Sequence, residues 1–318
     1  MKKIFRYLLL LIGIIVIAAG GFAAFVAFRG IPTYKAQTID LKVNSTPQRI
    51  ERGAQLSSML CNDCHMNRNT GKLTGAAMPE IAQFGTIYSR NITKDPEYGI
   101  GKWTDGQIAY LLRTGIKPDG TFLPVMAKLS KMSDEDLQSI IAFLRSDHPW
   151  VQPDRTHLPP SKYSFFAKFL TNIGAVKPMP YPQGAVPEPD TTNPVKWGEY
   201  IALHRVECYS CHSKDFATND YANPEKSKGF FGGGNAFTFP GGYKIYSRNL
   251  TMDEETGIGK WSEEDFVRAV KQGQLPDNQP GLRPPMKPYT QLSDAEIKAI
   301  YAYLKTLPII HNKVERKQ

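Results

Sequence analysis

Residues 61–65 read CNDCH and residues 208–212 read CYSCH. These two pentapeptides contain all four cysteines of the chain, both in the spacing C-x-x-C-H, and what they hold decides how the rest must fold. A tetrahedral zinc site takes two cysteines and two further ligands at finger-like spacing, whereas each pair here runs straight into a histidine and stands far from the other pair. A thioredoxin-like redox pair expects a βαβ setting. A plain disulfide suits an oxidising compartment but gives the histidine after each second cysteine no role.

Working outward, the chain repeats itself. YSRNITKDPEYGIGKW at 88–103 returns as YSRNLTMDEETGIGKW at 246–261, an offset of 158. SDEDL at 133 and SDAEI at 293 stand 160 apart, and the two cysteine motifs 147 apart, so the second copy carries eleven extra residues after its motif. That insert includes Gly232, Gly233 and Gly234; no Gly-Lys-Ser/Thr follows, so it is expected to be a flexible loop rather than a phosphate cradle. Each copy reads as helical. A first helix starts at Thr46-Pro47 or Asn193-Pro194. A middle helix runs from Thr104 or Ser262 to Gly115 or Gly273. A last helix carries Leu137, Ile140, Ile141 and Leu144, matched by Ile297, Ile300, Tyr301 and Leu304, the stripe of a buried face. The fold expected is all-α: two tandem domains of one kind at 46–150 and 191–311, joined by a linker at 151–190 and ending in a tail at 312–318. Residues 151–194 hold nine prolines, too many for continuous regular structure. Within them Tyr163, Phe165, Phe166, Phe169 and Leu170 form an apolar patch, expected on a short helix packed between the domains or against a membrane.

In a duplicated helical chain, covalent haem explains both cysteines and the histidine. The two thiols add to the vinyl groups of the porphyrin, and the next residue presents an imidazole nitrogen to the iron. Cys61, Cys64, Cys208 and Cys211 are thus the expected tethers of two haem c groups, and His65 and His212 the proximal ligands. An electron carrier wants a thioether on the opposite face. Met66 adjoins His65 and falls on the wrong side, and Met78 has no methionine counterpart. Met132 precedes the N-cap Ser133 and staples onto Leu137, as Leu292 does onto Ile297. Met126 and Met286 remain, at the same repeat position, each after a proline-bearing loop. Haem propionates need donors; Tyr88, Arg90, Asn91 and Trp103, with Tyr246, Arg248, Asn249 and Trp261, recur in the repeat and are candidates, packing of a structured loop being the other reading. His148, His157 and His311 lie near domain ends or in the linker, and His204 is expected at the surface or partly buried.

Residues 7–28 carry no charge and, as a helix, span ~33 Å, enough to cross a bilayer core. Lys2, Lys3 and Arg6 precede them and no acidic residue comes before Asp40. The positive-inside bias therefore places the N-terminus of this anchor (1–30) in the cytoplasm, and a tether (31–45) leads to haem domains on the periplasmic side of the cytoplasmic membrane. A cleaved secretory signal is the competing reading, though its apolar region is usually shorter. The net charge of +9 includes four charges in or beside this segment. The remaining basic bias favours acidic protein partners or anionic lipid, and no basic-aromatic strip suggests nucleic acid.

CNDCH and CYSCH, with YSRNIT/YSRNLT, GIGKW and a late methionine before a capped last helix, resemble the cytochrome c family over residues 46–310. The chain looks most like membrane-anchored c-type subunits that accompany bacterial alcohol and gluconate dehydrogenases. The resemblance implies a small helical fold around each haem, one-electron transfer along the haems, and redox partner proteins: a donor dehydrogenase or quinol-oxidising complex, and an acceptor such as a terminal oxidase or soluble cytochrome. It also implies a close crossing of first and last helices at Gly53 and Gly198. Such subunits commonly carry three C-x-x-C-H motifs and this chain has two. The expectation is an electron carrier that binds no small-molecule substrate. A dihaem peroxidase, in which one iron lacks its sixth ligand, is the rival from another class, and an interaction module with two structural disulfides is a third reading.

Overall fold

Thr46 and Asn193 open equivalent helices by the same chemistry: the Thr46 side chain accepts from the Arg49 N–H, and the Asn193 side chain from the N–H groups of Val195 and Lys196, with proline at the first helical position of both. A computed structural model of the chain describes residues 2–239, 242–277 and 279–314, so residues 315–318 of the expected tail lie outside the described residues. The chain is mostly helical. In order come α1 (Lys2–Arg29), α2 (Pro47–Leu60), α3 (Asn62–His65), α4 (Asp105–Thr114), α5 (Asp134–Arg145), α6 (Phe165–Asn172), α7 (Pro194–Tyr200), α8 (Cys208–His212), α9 (Glu263–Gln272) and α10 (Asp294–Leu304). The all-α expectation needs one amendment, because two short antiparallel pairs are present. β1 (Gly85–Thr86) pairs with β2 (Lys162–Tyr163), and β3 (Ala236–Thr238) with β4 (Lys244–Tyr246).

The chain divides into two units that interleave along the sequence. The first runs up to Val43 and adds Cys64–Lys128 and Asp147–Tyr181; the second takes Asn44–Asp63, Leu129–Ser146 and the chain from Pro182 onward. In the first unit, Tyr110, Ile116 and Phe122 form a core on which Ile31, Tyr34, Ala36 and Ile39 pack, so the segment after α1 is ordered against α4. The ends of α4 match the sequence reading: Thr104 and Gln107 form a capping box, and Gly115 closes the helix in the left-handed conformation. Tyr163 lies in β2 and not on α6, which begins after the N-cap Ser164.

In the second unit, α2 packs on α5 and α7 on α10. Gly53 and Gly198 are the crossing points: a Cβ there would stand 1.9 Å from the Ser139 carbonyl oxygen and 1.8 Å from that of Ala299. The stripes on α5 and α10 are buried, from Leu137 to Leu144 and from Ile297 to Leu304. Met132 and Leu292, the residues before the two N-caps, are buried as well. Gly198 precedes its cysteine motif by two residues more than Gly53 does, and the difference falls in a π-helical turn at Ile201–Arg205 and in Glu207 at φ 55°.

That turn delivers Arg205 into a buried ion cluster. Its Nε donates to Asp136 Oδ2 at 3.0 Å and its Nη1 to Glu296 Oε1 at 2.6 Å, with all three side chains 4–6% exposed. Arg52 adds a bond to Asp136 Oδ1 at 3.0 Å. The capping boxes diverge as a result. Glu296 still reaches back to the Ser293 N–H at 2.9 Å, whereas Asp136 is drawn into the cluster and the Ser133 N–H donates to Tyr200 Oη at 3.0 Å.

Candidate haem sites

In the first pentapeptide Cys61 caps the C-terminus of α2, its N–H bonded to the Ser57 carbonyl at 2.8 Å, and α3 carries the motif on to His65. In the second, α8 is the motif itself, Cys208 to His212. The spacing puts the two cysteines and the histidine at i, i+3 and i+4, the separations that share a helix face. Among the described residues no group of three or more His, Cys, Asp and Glu side chains gathers around a single ion position.

The imidazoles are oriented alike. His65 Nδ1 lies 2.7 Å from the Arg90 carbonyl oxygen and His212 Nδ1 lies 2.8 Å from that of Arg248. A carbonyl only accepts, so Nδ1 carries the proton and Nε2 keeps its lone pair, the form a metal-binding histidine takes when its far nitrogen is anchored. Burial pushes both imidazoles below the ordinary histidine range, outweighing the backbone bond that acts to raise them, and so favours the neutral ring. Burial also pushes the Cys208 thiol up to about 12 and raises Cys211, so both are neutral thiols.

The segments that carry these carbonyls are held beside the motifs by pairing that the sequence reading did not foresee. Gly75 N–H donates to the His65 carbonyl and Gly233 N–H to that of His212, both at 2.8 Å. Ser89 Oγ accepts from Ala76 N–H at 2.8 Å, and Ser247 Oγ from Asn235 N–H at 3.0 Å. The approach is close: a Cβ on Gly75 would meet the Ser89 carbonyl oxygen at 2.4 Å, and one on Gly233 the Arg248 carbonyl carbon at 2.5 Å. Gly233, expected in a flexible loop, is therefore the packed counterpart of Gly75, and the eleven extra residues lie between His212 and it. The shared 158 offset of the two glycines was the available signal.

Met126 and Met286 sit in matching loops hung from the ends of α4 and α9. The Gly115 carbonyl accepts from Leu123 N–H at 2.9 Å and the Gly273 carbonyl from Leu282 N–H at 3.0 Å, and each methionine follows a turn at 124–125 or 284–285. Both are half-buried, unlike fully buried Met132.

The polar residues of the repeat are engaged with the segments that follow the last helices. Asn91 Nδ2 donates to the Asp154 and Thr156 carbonyls at 2.8 and 2.9 Å, and Asn249 Nδ2 to the Ile310 carbonyl at 2.6 Å. Arg90 Nη1 donates to the Leu158 and Pro159 carbonyls, and Arg248 Nη1 to that of Val314. Trp103 and Trp261 are half-buried, their backbone N–H groups bonded to the Ile100 and Ile258 carbonyls. Tyr88 and Tyr246 are half-buried too, Tyr246 within β4.

The donor set fits a haem in both copies: two partly buried thiols on one turn, then a neutral imidazole with Nε2 open. In the second copy the buried amide of Asn235 has an unpartnered Nδ2, a donor suited to an anionic oxygen.

Against known proteins, the profile described as Cytochrome c matches residues 50–147 and 202–308. The chain is 30% identical over 270 residues to the cytochrome c subunit of a quinone-dependent alcohol dehydrogenase of Gluconacetobacter polyoxogenes, covering 81% of this chain and 56% of that one. It is 28% identical over 271 residues to the cytochrome subunit of a fructose dehydrogenase of Gluconobacter japonicus, covering 81% and 52%. A diheme cytochrome c-type protein of Cereibacter sphaeroides is 26% identical over 233 residues, covering 71% and 73%. The chain spans about half the length of the dehydrogenase subunits it matches.

Proposed function

The chain belongs to the cytochrome c family, and from there we propose that it is a membrane-anchored dihaem electron carrier, handing single electrons from a dehydrogenase or quinol-oxidising donor to a downstream acceptor such as a terminal oxidase. The observation that carries the reading is the recurrence of one arrangement, in which a C-x-x-C-H histidine donates from Nδ1 to the main-chain carbonyl of the repeated arginine. Cys61 and Cys64 would hold one haem covalently and Cys208 and Cys211 the other, with Nε2 of His65 and of His212 as proximal ligands. Met126 and Met286 are the distal ligands proposed, in domains at 46–150 and 191–311. Haem supplies reversible one-electron exchange between ferrous and ferric iron. The chain's own residues fix each imidazole plane, and Met126 and Met286 would each offer a thioether to an iron, which would keep peroxide and other small ligands off.

The dehydrogenase donor is supported by the names of the relatives, which are cytochrome c subunits of alcohol and fructose dehydrogenases. Helix α1, which contains an 18-residue window of mean hydropathy 2.7, is long and apolar enough to cross a membrane. We place its N-terminus in the cytoplasm and the haem domains in the periplasm, by the basic residues before it.

Full coordination at both irons separates a carrier from a peroxidase. The detergent-purified ferric protein is expected to show low-spin haem only, to leave hydrogen peroxide unconsumed, and to re-oxidise rapidly after one-electron reduction. A high-spin ferric component with peroxide turnover would overturn the carrier reading.

A further inference from the structure

Helix α6 lies in the proline-rich stretch that the haem chemistry leaves unused. It packs on the last two turns of α1: the Phe22 and Phe169 rings meet edge to face with centroids 6.3 Å apart. Its polar side chains also finish α1. Asn172 Nδ2 donates to the Gly30 carbonyl at 2.8 Å, Lys168 Nζ to the Ala27 carbonyl at 3.3 Å, and Arg29 Nη1 to Asn172 Oδ1 at 3.0 Å. Helix-end carbonyls have no partner within the helix, so these bonds tie α6 to the level at which α1 ends. With ~33 Å of uncharged helix below it, that level is the boundary between acyl chains and headgroups.

The faces of α6 are sorted. Ala167 and Thr171 are buried, while Phe165, Phe166 and, just past the helix, Ile173 are 49–50% exposed at spacings that place them on the opposite side. Phe25 and Phe28 on α1 are exposed as well. The charges near this patch are mostly basic: between Asp154 and Glu188 the chain has no acidic residue, and Lys162, Lys168 and Lys177 fall in that interval, with Arg29 and Lys35 beside α1, against Glu80 on the turn Pro79–Phe84 that packs on α6. Aromatic side chains with lysines around them are what an in-plane amphipathic helix presents to an anionic bilayer surface.

We propose that α6 is a second membrane contact, an interfacial helix whose Phe165, Phe166 and Ile173 enter the headgroup region of an anionic leaflet beside the exit of α1. The proposal rests on α1 being a retained anchor. Two points of attachment hold the first unit at a fixed tilt to the bilayer, where a single helix would let it swing about the exit point.

Single cysteines test this in the full haem-loaded chain, because its own four are expected to be occupied. Phe166→Cys, Ile173→Cys, Ile15→Cys within α1 and Lys196→Cys as an exposed control are placed in nanodiscs of phosphatidylethanolamine and phosphatidylglycerol, and modification by a membrane-impermeant maleimide is timed by gel shift. Positions 166 and 173 are expected to react at least tenfold more slowly than position 196, with position 15 unreactive. Reaction at 166 and 173 as fast as at 196, with 15 protected, overturns the interfacial helix and leaves the anchor intact. Reaction at 15 overturns both. Protection at 166 and 173 in native membranes but not in nanodiscs of the purified chain overturns the lipid contact in favour of a protein partner.

Discussion

At His65 and His212 the decisive contact comes from the backbone of a residue further along the repeat, an arginine whose carbonyl accepts from Nδ1. The guanidinium of Arg90 and of Arg248 instead holds the segment that follows the last helix. Residue types and spacing made the cysteines and histidines legible, because C-x-x-C-H is itself the chemistry. They did not reveal that the arginine works through its main chain, since a carbonyl is common to every residue. Gly233→Ala places a Cβ against the Arg248 carbonyl carbon at a backbone φ of 70°, so it is expected to move that carbonyl and lower haem incorporation in the second copy, read as a fall in haem per chain towards one. Met126→Ala and Met286→Ala are expected each to remove the sulfur-to-iron absorption of one haem and to lower its midpoint potential by an appreciable part of the ~0.8 V range that axial ligands command. An unchanged titration in either variant would reassign that ligand.

The helices of the two copies were readable because their signals are local: a cap, a proline at the first position, a left-handed glycine at the end and an apolar stripe between. The ion cluster was not readable, because Arg205 and its partners Asp136 and Glu296 are 69 and 91 residues apart and no periodicity relates them. Arg205→Met removes the buried counter-charge shared by Asp136 and Glu296, leaving them the half-buried Arg52, and is expected to cost ~3–5 kcal/mol in chemical unfolding. Arg49→Ala, which loses a half-exposed pair with Glu135, should cost ~1 kcal/mol or less. The cluster also sets an acid limit. Burial acts to raise the Asp136 carboxyl, but the charges of Arg205 and Arg52 and the Tyr200 hydroxyl prevail and hold it below the ordinary carboxylate range. A depressed folded value means that its stabilisation is complete above the unfolded value of about 3.9 and is lost as pH falls through the folded one. Unfolding curves below about pH 4 should therefore be less pH-dependent in Asp136→Asn than in the parent, and equal slopes would remove Asp136 as the cause.

For the molecule as a whole, the duplication gives two sites of one design with different surroundings: a longer post-motif segment and an unpartnered Asn235 amide in the second copy, and α1 with α6 in the unit that contains His65. The repeat and the apolar N-terminal segment were both plain in the sequence, since each is a matter of composition and spacing. The interleaving of the two units was not, because short strand pairs and main-chain bonds such as Asp134 N–H to the Val186 carbonyl depend on backbone meeting backbone, which side-chain patterns do not encode. The account stands or falls on covalent haem in both halves. Intact mass spectrometry of the denatured chain, matured in a host competent for c-type cytochromes, measures it directly. The expected result is the mass of the chain plus two haems, falling to one in Cys208→Ser/Cys211→Ser; a parent chain at its bare polypeptide mass would contradict it.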